Sequence, residues 1–281
     1  MSSNEAAGGE LVVEARAWQV YPPLDHEGDH TVEGVVRRLE KTHSPQLGNE
    51  RDLFVYLPPS YHDSPERRYP VIYMHDGQNL FDSATSFGDE WHVDTTMEEL
   101  GQAGIEAIVV AIPNAGAARC DEYSPWADAK AGGGRGDDYI AFLADTVRPI
   151  IDADFRTLTD REHTGIIGSS MGGLISLYGF FRRPDVFGFT GVMSPALWFA
   201  DRAVFGMIED VIHTPGRIYV DVGTREGPRT LGDARRLRGL LITKGYAVGR
   251  DLMYVEEAGA QHNEPAWGGR IRDALPFLLG A

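Results

Sequence analysis

The sequence predicts an α/β fold in which a mostly parallel sheet is covered by helices on both faces. Short apolar runs bounded by glycine or proline, such as residues 69–77 and 105–114, are typical of strands that are buried on both faces. Segments with apolar residues at helical spacing, such as residues 137–154, alternate with these runs. This alternation predicts β-α-β units that build one sheet.

The remaining elements follow the same patterns in chain order. Residues 32–39 and 52–57 alternate in polarity and predict two antiparallel neighbouring strands ahead of the parallel ones. Short apolar runs predict four later strands, at residues 163–170, 187–195, 216–224 and 251–259. Helical spacing predicts four further helices, at residues 95–100, 171–183, 232–244 and 267–279. Since ligands of such sheets bind beyond the carboxyl ends of the strands, we expect the functional residues at that edge.

The chain of 281 residues is long enough for one large domain, and 42% of its residues are hydrophobic. Residues 1–30 are polar and weakly patterned, so we interpret them as a tail or a loosely packed lead-in and residues 31–281 as the folded domain. Cys120 is the only cysteine, which excludes an internal disulfide. A homodimer is expected on frequency alone.

Charge and hydropathy argue against several classes of partner. The net charge of −16 predicts repulsion from nucleic acid and from anionic membrane surfaces. No apolar run reaches the ~20 residues that a membrane-spanning helix needs. The N-terminus lacks the basic region and apolar core of a secretory signal. We therefore expect a cytoplasmic protein without nucleic-acid or membrane partners.

Ser170 lies in Gly168-Ser169-Ser170-Met171-Gly172, which matches the G-x-S-x-G pattern of a serine nucleophile. A predicted strand precedes the pattern and a predicted helix follows it, which is the context of a nucleophile elbow. In so sharp a turn, a side chain in place of either glycine would collide with neighbouring backbone. A serine that only caps a helix would need neither glycine. We therefore predict that Ser170 is a nucleophile.

A serine hydroxyl becomes a good nucleophile only when a base takes its proton. His262 follows the last predicted strand, at the expected edge and later in the chain than Ser170, as the order Ser–acid–His requires. His75, beside the loop expected to bind the oxyanion, is the alternative base. For the acid, Glu226 and Asp221 both qualify. We favour Glu226, because it follows its strand in a loop from which a carboxylate can reach the imidazole.

The negative charge of a tetrahedral intermediate needs two N–H donors. One is the amide of Met171, and the other is expected from Gly77 or Gln78 in the loop after the strand at residues 69–77. This chemistry uses no metal and no cofactor, so we expect neither. Residues 25–30, Asp-His-Glu-Gly-Asp-His, could bind a metal ion, but we interpret them as a solvated acidic loop.

Seven blocks of sequence together resemble the esterase D-like and enterochelin esterase-like family of the α/β-hydrolase superfamily: YMHDGQNLFD, EWHVDTTMEEL, ARCDEYSP, GSSMGGLISLY, MSPALWF, DVGTREGPR and GAQHNEPAW. The resemblance covers about residues 32–279 and implies an α/β-hydrolase fold. It implies that Ser170 is the nucleophile, Glu226 the acid and His262 the base. Arg119 is similar to an arginine that lines the substrate site of siderophore esterases.

Other residues are candidates for shaping the substrate pocket. No insertion is large enough for a cap domain, and only the loop at residues 114–138 is long enough to shape a pocket. Arg119 either contacts substrate or forms a structural pair with Glu122. Trp126 and Trp198 are candidates for the walls of an acyl or aryl pocket, and packing within the core or a loop is the alternative.

The sequence therefore predicts a serine carboxylic ester hydrolase that acts on a small-molecule ester through an acyl-enzyme. Three alternatives stay open: an acyltransferase on the same triad, a siderophore trilactone esterase, and a non-catalytic binding protein on the same fold. Arg119 lacks a basic surround and the chain is acidic, so a triply charged iron chelate fits poorly. The shape of the pocket, which sets the physiological ester, is not visible in the sequence.

Overall fold

A computed structural model of the protein describes residues 16–23 and 29–281. Within these residues eleven strands, β1 to β11, span Gln19–Tyr21, Val35–Ser44, Asn49–Leu57, Val71–His75, Ile108–Ile112, Ala127–Asp128, Gly132–Gly133, Thr164–Ser169, Phe189–Met193, Arg217–Gly223 and Leu252–Glu257. The same ranges contain eight α-helices, α1 to α8, at Val93–Gln102, Arg119–Glu122, Gly136–Phe142, Arg148–Asp154, Met171–Arg182, Phe199–Asp210, Pro228–Thr243 and Glu264–Leu279.

Nine of the strands form one sheet in the order β1-β2-β3-β5-β4-β8-β9-β10-β11. The six strands from β5 to β11 in this order run parallel to one another. Strands β1, β2 and β3 pair antiparallel at one side of the sheet. The predicted mostly parallel sheet and the antiparallel pair ahead of it are therefore confirmed.

The strand order changes direction at β4. The next strand of the chain, β5, pairs with one side of β4, and the later strand β8 pairs with its other side. Tyr73 in β4 is paired with Val110 of β5 on one side and with Ile166 of β8 on the other. The loops that follow β4 and β8 leave a crevice beyond the carboxyl ends of the strands, where such sheets bind ligands. Asp76 directly follows β4, and Ser170 directly follows β8.

Two apolar layers lie on opposite faces of the sheet, because successive strand residues point to opposite sides. In β4, Ile72 belongs to the layer that contains Met97 of α1 and Ile271 of α8. The next residue, Tyr73, belongs to the opposite layer, together with Leu174 of α5. Helices therefore cover both faces, as predicted. No helix in the described ranges combines the length and the apolar character needed to cross a membrane.

The lead-in predicted for residues 1–30 includes an ordered strand. Gln19–Tyr21 extends the sheet as β1, and the Tyr21 hydroxyl donates to the buried carboxylate of Asp82 at 2.7 Å. A three-residue strand is too short to produce a recognisable alternation, so sequence patterning misses it. Residues 19–21 are therefore part of the sheet.

Two helices also differ from expectation. The helix predicted at residues 137–154 is continuous but contains a π-helical segment, Leu143–Val147, ahead of Pro149 in α4. Proline has no N–H to donate, so the chain reaches it through this irregular turn. Helix α6 was not predicted, and its first turn is irregular, since Ala200, Asp201 and Arg202 have positive φ values.

Gly165 in β8 allows Phe189 of the neighbouring strand to pack against the backbone that leads to Ser170. A Cβ atom at Gly165 would lie 1.8 Å from Cε2 of the buried Phe189 ring. We expect Gly165→Ala to lower the free energy of unfolding by about 1–3 kcal/mol, as overpacking does in other cores. Urea unfolding followed by circular dichroism measures the change.

Gly232→Ala is the matched control, because no atom lies within 4 Å of the added Cβ in helix α7. This variant should gain about 0.5–1 kcal/mol from its higher helix propensity. Equal stability changes in the two variants would contradict the packing assigned to Gly165.

Candidate active site

Ser170 sits in a sharp turn between β8 and α5. Its φ of 56° and ψ of −120° are rarely adopted by a residue other than glycine. The Ser170 N–H donates to the carbonyl of Met193 at 2.9 Å, and its carbonyl accepts from Leu174 and Ala196. These bonds hold the backbone in the strained geometry that a nucleophile elbow requires.

The two glycines of the motif have different amounts of free space. A Cβ at Gly168 would lie 2.7 Å from Cδ2 of His75 and 2.8 Å from the carbonyl carbon of Gly172. A Cβ at Gly172 would meet its nearest neighbour, Cβ of His75, at 3.3 Å. The predicted collision is therefore severe at Gly168, whereas Gly172 is only in a tight environment.

His262 and Glu226 meet at the carboxyl edge of the sheet. Nδ1 of His262 lies 2.8 Å from Oε2 of Glu226, and the imidazole packs edge-on against Trp267. The glutamate side chain is 1% exposed and the histidine side chain 41%. Burial favours the neutral acid, but hydrogen bonds from His262, Ser194 and the Gly223 N–H hold the pKa of Glu226 below its ordinary value. The carboxylate is therefore ionised beside the imidazole.

Asp221, the alternative acid, is fully buried within β10. Its carboxylate accepts from Nε of Arg270 at 2.8 Å and from the Ser194 N–H at 2.9 Å. These bonds occupy Asp221 in a structural ion pair. Of the two acids considered, Glu226 is the one that the structure brings to the imidazole.

Ser170 and His262 line the same cavity, which has a volume of about 680 Å³. Gln78 lines it as well, whereas the backbone of Gly77 packs so closely on Ile112 that a Cβ would lie 2.5 Å from its nitrogen. Gln78 is in a single 3₁₀ turn, Gly77–Asn79, and Met171 is the first residue of α5. Amides at the start of a helix have no carbonyl partner within it. Both N–H groups are therefore available to a ligand.

Arg119 holds the loop after β4. Its Nε and Nη2 donate to the two carboxylate oxygens of Asp76, each at 2.7 Å, and Asn114 donates to the same carboxylate. The structural pair considered for Arg119 and Glu122 is therefore wrong. Glu122 instead accepts two bonds of 2.8 Å from Arg51 of β3. Arg119 nevertheless lines the same cavity as Ser170, and its contact with substrate stays a prediction.

The two tryptophans predicted to form pocket walls lie elsewhere. Trp126 lines a separate cavity with Tyr178, and Trp198 is 44% exposed and packs against Phe199. Neither side chain is among those that line the cavity of Ser170, so the structure does not support that prediction. Aromatic residues from other segments line it instead, namely Phe87, Trp91 and Trp267. The resemblance blocks EWHVD and GAQHNEPAW contained two of them, but residue type alone does not tell which tryptophan faces a cavity.

Metal binding finds no support in the described residues. Among them, no group of three or more His, Cys, Asp or Glu side chains could hold a metal ion. Part of the acidic segment at residues 25–30, up to Gly28, lies outside the described residues. His30 is described and bonds through Nδ1 to Asp82 at 2.5 Å.

His75, the alternative base, lies beneath the elbow and does not line the cavity. It is 1% exposed, and its Nδ1 is 2.7 Å from the Tyr139 hydroxyl. Nε2 is buried without a hydrogen-bond partner in the part of the chain that the structure describes. Burial lowers the pKa of His75 to about 3, so the ring is neutral. A buried neutral histidine supports the elbow by packing and cannot exchange protons with a ligand of the cavity.

The mostly parallel sheet covered by helices on both faces, with a strained serine in the turn after β8, is typical of the α/β-hydrolase class of proteins. Residues 44–278 match the family model described as "Putative esterase", and the chain belongs to this family. The protein is a carboxylic ester hydrolase, and the resemblance found in the sequence is confirmed.

Some relatives match most of this chain, and others match only part of it. YbbA of Bacillus subtilis is 27% identical over 248 residues, or 84% of this chain and 94% of that protein. The siderophore triacetylfusarinine C esterase of Aspergillus fumigatus is 31% identical over 133 residues, which cover 46% of this chain and 44% of that one. The crystal structure of the BES protein from Bacillus cereus superimposes with a TM-score of 0.71 and 20% identity, covering 90% of this chain and 98% of the other. The last likeness supports the fold alone.

The neutral state of His75 predicts a pH-dependent contribution to stability. The folded-state pKa of about 3 lies below the ordinary value of 6.5, so the unfolded chain binds more protons between these values. Stability from this residue is thus complete above pH 6.5 and is lost as the pH falls toward 3. Wild type should therefore lose stability relative to His75→Gln as the pH is lowered below 6.5. We expect this loss of unfolding free energy to reach at most about 1.4 kcal/mol per pH unit.

Urea unfolding of the two proteins between pH 4.5 and 7.5 measures this difference directly. His43→Gln, which replaces an exposed histidine of β2, is the matched control. A difference between wild type and His75→Gln that stays constant with pH would show that His75 titrates alike in the folded and unfolded chains.

Proposed function

We propose that the protein hydrolyses its ester with a triad of Ser170, His262 and Glu226. The observation that carries the proposal is the 2.8 Å contact from Nδ1 of His262 to a buried, ionised Glu226. A carboxylate in this position holds the proton on Nδ1 and leaves the Nε2 lone pair free to accept the proton of Ser170. The shared cavity and the strained backbone of Ser170 support the same assignment.

In the first half-reaction, the Ser170 oxygen attacks the ester carbonyl while Nε2 of His262 takes the hydroxyl proton. The electron pair of the carbonyl moves to its oxygen, and this oxyanion accepts hydrogen bonds from the Met171 and Gln78 amides. When the intermediate collapses, the bond to the leaving alkoxide breaks and His262 returns the proton to it. The products are an alcohol and an acyl-enzyme on Ser170.

In the second half-reaction, a water molecule gives its proton to His262 and attacks the acyl carbonyl. The same two amides bind the second oxyanion, which collapses to release the carboxylic acid, and His262 reprotonates Ser170. Glu226 stabilises the imidazolium in both halves without accepting its proton. Gln78 is preferred to Gly77 as the second donor, because Gln78 lines the cavity.

The cavity walls favour an ester with an apolar or aromatic group and little negative charge. Phe87, Trp91 and Trp267 provide aromatic surface, and Phe87 is 85% exposed at the rim. Arg119 is the cation of the wall, but both carboxylate oxygens of Asp76 accept bonds from it. The carboxylate of Glu264 also lines the cavity, so an anionic substrate meets repulsion there.

A siderophore ester is the second candidate, because a relative carries the name of a siderophore triacetylfusarinine C esterase. Neutral siderophore esters suit the charges of the cavity better than anionic ones. Acyl transfer to an alcohol would use the same residues as hydrolysis. The cytoplasmic location and the homodimer remain predictions.

Replacement of the nucleophile tests the proposed triad. We expect Ser170→Ala to lower kcat/KM for p-nitrophenyl esters by about a thousandfold or more and to abolish labelling by a fluorophosphonate. Glu226→Gln should lower kcat by at least about a hundredfold, because the neutral amide neither fixes the imidazole tautomer nor balances its charge. Glu256→Gln, which removes a carboxylate from β11, should retain activity. Full esterase activity or labelling of Ser170→Ala would exclude Ser170 as the nucleophile.

The charge of Glu264 predicts a measurable substrate preference. Its carboxylate accepts a weak bond from Asn79 at 3.4 Å, and burial together with nearby Asp89 and Asp76 raises its pKa. We expect Glu264→Gln to raise kcat/KM for an anionic ester about fivefold relative to a neutral ester of the same size, which corresponds to loss of about 1 kcal/mol of repulsion.

Matched succinyl monoester and butyryl ester substrates with the same aryl leaving group provide the comparison. Glu66→Gln, at an exposed position outside the cavity, controls for the change in net charge. If the ratio of the two substrates is the same in wild type, Glu264→Gln and Glu66→Gln, the repulsion does not exist.

A further inference from the structure

Ser194, the residue after β9, lies completely buried between the acid of the site and helix α8. Its Oγ is 2.6 Å from Oε1 of Glu226. The same oxygen accepts from Nε1 of Trp267 at 3.0 Å and from Nη2 of Arg270 at 2.9 Å. The resemblance block MSPALWF contains this serine, but nothing in the sequence assigned it a role.

The three contacts determine where the hydroxyl proton points. Indole and guanidinium N–H groups only donate, so they occupy the two lone pairs of the Ser194 oxygen. The single proton of Ser194 is then left for Oε1 of Glu226. The Ser194 hydroxyl, a group that can usually rotate, is thereby fixed as a donor to the carboxylate.

The backbone of Ser194 is held just as firmly. Its φ of 40° is in the left-handed region, and its N–H donates to the carbonyl of Asp221 at 3.1 Å and to the Asp221 carboxylate at 2.9 Å. Asp221 also accepts from Nε and Nη2 of Arg270, at 2.8 Å and 3.2 Å. One buried carboxylate therefore positions both the serine backbone and the arginine that contacts the serine hydroxyl.

From this arrangement we infer that Ser194 is a positioning residue for Glu226, and that Trp267, Arg270 and Asp221 act through it. The inference rests on the proposed function, in which Glu226 is the acid of the triad. Oε1 of Glu226 accepts from Ser194 and from the Gly223 N–H at 2.7 Å, so that oxygen is saturated. Only Oε2 is left to face His262. The cluster thus fixes which oxygen of the acid meets the imidazole.

Ser194 also bridges Glu226 and a competing cation. Nη2 of Arg270 is 3.8 Å from Oε1 of Glu226, beyond hydrogen-bond distance, and each of the two groups bonds to the serine oxygen instead. Without that hydroxyl, the guanidinium would attract Oε1 and rotate the carboxylate away from His262. Ser194 therefore orients the carboxylate of Glu226 and does not only fill space beside it.

The test is a steady-state comparison of wild type, Ser194→Ala and Ser194→Gly with a neutral p-nitrophenyl ester from pH 5 to 9. We expect kcat to fall by about ten- to a hundredfold, because a hydrogen bond to a charged group is lost, with KM within about twofold. Rotation of the carboxylate toward Arg270 takes negative charge away from the imidazole, which disfavours the protonated imidazole. The acid limb of the kcat/KM profile should therefore move to lower pH by about half a unit.

Ser194→Gly keeps the test decisive if alanine at a positive φ impairs folding, since glycine accepts that backbone without strain. Ser194→Cys, whose thiol is a weak donor, should recover part of the lost kcat. Ser44→Ala, which removes another fully buried hydroxyl, from β2, should keep the wild-type pH profile.

Two results would overturn the inference. One is wild-type kcat in both Ser194→Ala and Ser194→Gly. The other is a lower kcat without any displacement of the acid limb, which would assign Ser194 a purely structural role. Ser170→Ala and Glu226→Gln, measured in parallel, separate this failure from that of the proposed function, because full activity in either of these two variants would reject the triad itself.

Discussion

The site depends on the backbone conformation of Ser170, because a residue other than glycine has to adopt a φ of 56° there. Such conformations cost about 1–3 kcal/mol and persist only where their surroundings determine them. Residues 193–196, at the end of β9 and just after it, provide much of that support, since the Met193 carbonyl and the Ala196 N–H both bond to the Ser170 backbone. Between them, Ser194 bonds to Glu226. A four-residue segment thus ties the proposed nucleophile and the proposed acid to one another, although they follow different strands.

Three arginines hold the loops at the carboxyl edge of this acidic protein. Arg119 binds Asp76 after β4, Arg270 binds Asp221 within β10, and Arg51 binds Glu122 in α2. Buried ion pairs add little net stability, since desolvation offsets their attraction. Their two-pronged geometry, however, permits only one arrangement of the groups that they join. These ion pairs therefore act mainly on geometry. Their directional hydrogen bonds fix the loops near the cavity as much as packing does.

The sequence predicted those parts of the site whose constraints are local. Ser170 is marked by glycines at fixed offsets, and His262 by its position after the last strand. The partner of Arg119 was not predictable, because Asp76 and Glu122 are equally acidic and Glu122 is drawn to Arg51, 71 residues away in the chain. For the same reason sequence reasoning chose Trp126 and Trp198 for the pocket, whereas Trp91 and Trp267 line it. Which side chain faces a cavity depends on tertiary packing, and no local pattern encodes it.

The charges that line the cavity affect release of the product of the proposed reaction as well as binding of its substrate. Esters of the favoured class are neutral, but each turnover produces a carboxylate at the position where the acyl group was bound. Arg119 cannot strongly retain that product, because Asp76 already occupies its Nε and Nη2. Glu264 adds a nearby carboxylate, and the chain as a whole carries a net charge of −16. Fields from distant surface charges decay within about 8 Å at physiological salt, so the carboxylates that line the cavity dominate. The arrangement that disfavours anionic substrates therefore also promotes release of the anionic product, and one distribution of charge serves both substrate selection and turnover.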